Sequence, residues 1–146
     1  MASQMYKEIY DISVLLGGEE IAFPGDTPYC RDLVVTIEQS GICDVSRLTL
    51  SSHAGTHLDA PSHQIKSAKS IDQYPLERFI LPAHVVQIED KELIKPAELE
   101  RLDIREGEAL LFRTDNSASG RCVNGVFSEK FVYLSAEAAD LCVERR

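Results

Sequence analysis

Residues Ser51 to Gln64 read S-S-H-A-G-T-H-L-D-A-P-S-H-Q and hold three of the chain's four histidines, His53, His57 and His63, together with Asp59. Two imidazoles and a carboxylate form a donor set for a divalent transition ion. A third imidazole close by serves either a second ion or proton transfer. The pattern H-x-x-x-H-x-D-x-x-x-H also constrains the backbone. On a helix, His53 and His57 share a face while Asp59 points roughly the other way. Gly55 and Pro61 oppose helix in any case. On a straight strand the even spacings put all four side chains on one side, but four extended residues span about 13 Å, too far for one ion. The stretch must therefore bend. A strand ending near Ser51 is expected to open into a curled loop, with Gly55 permitting unusual backbone angles and Pro61 setting another corner.

Working outward, Val45 to Leu50 (V-S-R-L-T-L) reads as the strand feeding that loop, and Leu33 to Glu38 (L-V-V-T-I-E) as another. Tyr6 to Leu15 alternates loosely and suggests a first strand. Gly17-Gly18, Pro24-Gly25 and Pro28 make the segment between them a loop of tight turns. Beyond the histidines, P-L-E-R-F-I, opened by Pro75, predicts a short helix, His84 to Ile88 a strand, Pro96 to Leu102 a second short helix and Ala109 to Thr114 a strand. Ser135 to Arg146 predicts a helix with Ser135 as N-cap and Glu137 in its first turn. Strands interspersed with helices give a mixed α/β domain with a substantial sheet. No Gly or Asn closes the last helix and no strand receives it, where an α/β chain normally returns to its sheet.

The totals narrow the function. A chain of 146 residues with 44% apolar and 27% charged residues is one domain's worth of ordinary globular protein. A net charge of −9, with no local cluster of Lys and Arg, disfavours nucleic acid and membrane surfaces as partners. No apolar run is long enough for a membrane helix, and the N-terminus carries no export-signal pattern, so the expected compartment is the cytoplasm. Cys30, Cys43, Cys122 and Cys142 form no C-x-x-C pair and read as free thiols. His84, at the start of a strand, reads as structural.

H-A-G-T-H-L-D-A-P-S-H resembles the H-x-G-T-H-x-D-x-P-x-H signature of the cyclase family of metal-dependent hydrolases, which includes bacterial kynurenine formamidases and isatin hydrolases. All seven fixed positions match. Y-D-I-S, F-P-G-D-T-P and L-L-F-R-T-D resemble the family's opening strand, its x-P-G-D-x-P loop and its later L-[LI]-x-[RK]-T strand, in order. The resemblance implies a swivelling β/β/α fold, with residues 1–146 a single domain whose C-terminal portion is absent. It implies His53, His57 and Asp59 as metal ligands, and His63 as the catalytic acid/base and a ligand to a second metal. Phe23 stands where the formamidases carry a substrate-contacting aromatic, usually Trp; simple core packing is the other reading of this residue.

The implied reaction is metal-assisted hydrolysis of a small-molecule amide, an aryl formamide such as N-formylkynurenine. The alternatives are a cyclic amide of the isatin type and a truncated, inactive metal-binding domain. The ion is Zn²⁺ or else Mn²⁺, one or two per site. A further strand and a segment bearing another His and a Glu are expected beyond position 146, and the exposed edges left without them favour a homo-oligomer.

Overall fold

The structure is a computed structural model and describes residues 8–18 and 22–145. They form two compact units, one running up to His57 and including Val123–Gly125, the other made of Leu58–Cys122 and Val126 onward.

In the first unit the central feature is an antiparallel ribbon of β1 (Cys30–Val35) and, after a single helical turn α1 (Ile37–Ser40), β2 (Val45–Thr49). Asp32 stands opposite Arg47, and the two form an ion pair of 2.9 Å. The strand expected to run on to Glu38 stops at Val35 because Thr36 is a helix cap. Its hydroxyl accepts from the Gln39 N–H at 3.2 Å, and the Gln39 side chain accepts from the Thr36 N–H at 3.3 Å. This reciprocal capping outweighs the β preference of T-I-E. Gly41, in the left-handed region at φ 68°, closes the turn.

The strand expected over Tyr6 to Leu15 is not formed in residues 8–15, and its first two residues lie outside the described chain. Asp11 accounts for part of this. Its carboxylate accepts from both the backbone N–H and the hydroxyl of Ser13, a local turn that competes with strand pairing.

The second unit contains two parallel ladders. β3 (Ala83–Gln87) pairs with β5 (Ala109–Arg113) in unbroken register, Ala83 against Ala109 through Gln87 against Arg113. The two-residue strands β4 (Leu93–Ile94) and β6 (Tyr133–Leu134) form the other. Three helices accompany them: α2 (Pro96–Leu99), α3 (Asp115–Ala118) and α4 (Ala136–Arg145). Among the described residues no ladder exceeds two strands, so the substantial sheet expected from strand content is divided into three pairs. The short helix expected from Pro75 is a 3-10 turn, Leu76–Phe79. α2 is one turn instead of running to Leu102, and the chain tightens after it through a Leu102 N–H to Leu99 carbonyl bond.

All of the buried hydrophobic residues among those described belong to this second unit: Val86, Ile88, Ile94, Leu99, Val132 and Ala138. Leu99 is 1% exposed, and such burial stabilises by roughly 1.5–3 kcal/mol. α4 begins as expected, with the Ala138 N–H donating to Ser135 Oγ at 3.2 Å, while the Ser135 N–H donates to the Ile94 carbonyl and ties the helix start to β4. β6 is aligned by a device that patterning does not reveal. The Asn116 side-chain amide donates to the Val132 carbonyl and accepts from the Val132 N–H, both at 2.8 Å, in imitation of a strand neighbour.

Candidate metal centre

β2 ends at Thr49, and the chain then turns at residues 52–53 and bends through 54–56, the curled loop that the donor spacing demands. Gly55 supplies the bend with φ 68°, a region costly to residues with a Cβ. A Cβ there would also come within 2.7 Å of Leu16 Cδ2. Thr56, a fixed position of the signature, has a structural role. Its hydroxyl accepts from the Val14 N–H at 2.9 Å and pins the loop to the N-terminal segment. Pro61 opens a 3-10 turn, Pro61–His63.

His57 Nδ1 lies 2.9 Å from the Gly55 carbonyl. A carbonyl only accepts, so Nδ1 carries the proton, and in the neutral ring Nε2 keeps its lone pair. A backbone carbonyl fixing the tautomer of the opposite nitrogen is the usual arrangement behind a metal-binding imidazole. That Nε2 lies 3.1 Å from His53 Nδ1. With Nε2 of His57 an acceptor, His53 Nδ1 donates to it. Two ligand atoms on a tetrahedral zinc stand roughly 3.3 Å apart, so the nitrogens are close to ligand spacing once an ion replaces that proton.

One ligand atom each from His53, His57 and Asp59 lies within 4.8 Å of the others, His53 half-buried and the other two exposed. Among the described residues this is the group of three such side chains close enough to share an ion. The donor set, its spacing and the tautomer fit a divalent transition ion. His63 is exposed at the end of its turn and is not a member of the group.

Phe23 is 60% exposed and lines a cavity of about 160 Å³ together with His53, Asp26, Tyr29 and Ser51. Asp59 borders a larger, mainly apolar cleft of about 700 Å³ walled by Leu58, Ile71, Tyr74, Phe79 and Leu81.

Asp26, Ser51, Tyr74 and Phe79 escaped the sequence reading. The first two are signalled only by their place in P-G-D-T-P and S-S-H, and the aromatics by following the signature. Cys30 and Cys43 are exposed free thiols and Cys142 is a half-buried one. His84 is occupied by a hydrogen bond to Glu108, Nε2 to Oε2 3.1 Å. Glu108 is held below the usual carboxylate range by the Arg105 backbone N–H and then by His84. Among the described residues no helix is long and apolar enough to cross a membrane.

Comparison with known proteins gives a consistent result. The model of the family described as "Putative cyclase" matches residues 10–146. A kynurenine formamidase of Bacillus cytotoxicus is 32% identical over 132 residues, covering 90% of this chain and 61% of that protein. One of Bacillus thuringiensis is 33% identical over 138 residues, covering 94% and 64%. The chain thus spans less than two thirds of the length of these curated relatives. A solved structure described as a potential metal-dependent hydrolase with cyclase activity superposes with a TM-score of 0.73 at 23% identity, over 93% of this chain and 62% of that one. A structure of a predicted metal-dependent hydrolase from Bacillus stearothermophilus gives 0.72, also at 23%, over 93% and 63%. These superpositions show the fold.

Proposed function

The chain belongs to the cyclase family, and from that membership we propose that it serves metal-dependent hydrolysis of an aryl formamide, with N-formylkynurenine as the first substrate to test. The observation that carries the reading is the convergence of His53, His57 and Asp59 within 4.8 Å. The names of the relatives, kynurenine formamidases at 32–33% identity, direct it to formamides.

A divalent ion, zinc first and manganese second, would supply a Lewis acid for the carbonyl oxygen and a water acidified toward neutrality. His53 and His57 offer neutral imidazole lone pairs, and Asp59 offers negative charge with a second oxygen able to reach a second ion. His63 is assigned the proton transfer. It takes the proton from the attacking water and returns it to the leaving amine nitrogen, a role suited to imidazole near neutral pH. Phe23 contributes a ring face toward the substrate. The apolar cleft beside Asp59, with Tyr74 and Phe79, has the size and lining to receive an aryl group. Self-association is part of the same proposal and is read by light scattering.

The test is metal content of the purified chain, followed by turnover of N-formylkynurenine and of a cyclic amide, each with and without chelator. Formamide turnover that is lost with chelator and restored by Zn²⁺ or Mn²⁺ is expected. A chain that holds metal but hydrolyses neither amide would refute the reading.

A further inference from the structure

We infer that Asp26 and Ser51 are positioning residues for the metal centre, holding the ligand His53 in place from the P-G-D-T-P loop; the inference rests on the hydrolase reading above. His53 lies in a turn beyond the end of β2. Ser51 anchors that turn to the P-G-D-T-P loop. Its N–H donates to the Thr27 carbonyl at 3.1 Å. Its hydroxyl donates to Asp26 Oδ2 at 3.0 Å, and the same oxygen accepts from the His53 N–H at 3.2 Å.

The polarity of this relay is determined by its ends. A carboxylate only accepts and a backbone N–H only donates, so the one hydroxyl hydrogen goes to Asp26 and a lone pair faces His53. Donation to a carboxylate makes the hydroxyl oxygen a stronger acceptor, which tightens the His53 end. The Asp26 end is held by its own turn, Asp26 N–H to Phe23 carbonyl at 3.0 Å, with Gly25 at φ 95°. One turn therefore aims both Phe23 and Asp26, and both line the cavity that His53 borders. Loss of the relay leaves the metal-binding residue types intact but releases the backbone that carries one of them.

The experiment uses the whole chain, with Co²⁺ as the probe because its visible spectrum reports ligand geometry. Ser51→Ala is expected to weaken Co²⁺ binding by about 10- to 100-fold, the usual effect of losing a group that orients a ligand. Ser51→Thr, which keeps the hydroxyl, restores it. Asp26→Ala acts in the same direction and carries the prediction should Ser51→Ala misfold. The double variant binds no more weakly than Ser51→Ala alone, since both act through one relay. The His53 amide exchanges faster in Ser51→Ala while the amides of β3 and β5 keep their protection.

Wild-type Co²⁺ affinity and spectrum in both single variants would overturn the positioning role, as would losses that multiply in the double variant. A wild-type chain that takes up no Co²⁺ would overturn both the positioning and the hydrolase reading. Variant-dependent Co²⁺ binding without amide hydrolysis would overturn the hydrolase reading alone.

Discussion

Gly55 and Gly41 offer a matched pair of substitutions, because both have φ 68° but only Gly55 has neighbours where a Cβ would stand. Gly41→Ala meets nothing within 4 Å. Its cost is the left-handed backbone, about 1–2 kcal/mol, offset by about 0.4–1 kcal/mol from the reduced freedom of the unfolded chain. A net loss of about 1 kcal/mol follows.

Gly55→Ala incurs the same backbone cost and must also move Leu16, whose Cδ2 would lie at 2.7 Å. Leu16 is 40% exposed and the clash is with the tip of its side chain, so it can swing aside. The added cost is that of an off-rotamer side chain, about 0.5–1.5 kcal/mol. The melting temperature of Gly55→Ala should therefore fall below that of Gly41→Ala by about 1–6 °C in a chain of this size. Leu16→Ala in the Gly55→Ala background should recover that difference.

The two variants also separate in metal binding. The Gly55 carbonyl holds His57 Nδ1, so relaxation of residue 55 to negative φ releases the ring and lowers zinc affinity. Gly41, at the end of α1, leaves it unchanged. Thermal melts of the apo-protein and zinc competition against a chromophoric chelator measure both. Equal melting temperatures and equal zinc affinities for the two variants would refute the loop geometry as the source of the site.

Asp59→Asn keeps the shape of the side chain but removes its charge, and should lower zinc affinity; equal affinity would remove Asp59 from the ligand set. Leu99→Ala should destabilise by about 2–5 kcal/mol in urea unfolding, because Leu99 is 1% exposed; a loss under about 1 kcal/mol would show that the core relaxes around it. Asp90 is held down to about 2, from an ordinary 3.8, first by the Lys95 ammonium and then by the backbone N–H groups of Glu92 and Leu93. A depressed carboxylate contributes stability above its unfolded value, and the contribution is lost as pH falls from about 4 to about 2. Asp90→Asn should therefore flatten the acid limb of the melting temperature in that window, and a parallel limb would refute the assignment. His63→Ala should abolish formamide turnover while retaining bound zinc, and retained turnover would take the proton transfer away from His63.

The donor pattern was legible because metal ligation constrains residue type and spacing together. Even spacing, a glycine and a proline were enough to require a bend, and the chain turns just beyond β2 as required. Ser135 was legible as a cap for the same reason, since its effect acts over three residues. Misreadings occurred where two local preferences competed. T-I-E favours a strand until Gln39 is seen to complete a capping box with Thr36, and residues 8–15 alternate but contain the Asp11–Ser13 turn.

The Asn116 clamp on Val132 spans 16 residues, and the Ser51–Asp26 bond 25. Neither partner carries a mark of the other in the sequence. The sequence by itself determined which side chains can bind a metal and that their backbone must curl. Tertiary structure decided that Asp26 stands behind His53, through Ser51, and that Asn116 aligns Val132. The physical reason is range. Residue type, spacing, capping and the His57–Gly55 bond act within a few positions of the chain, whereas the aim of His53 depends on the Ser51–Asp26 bond, which spans 25 residues.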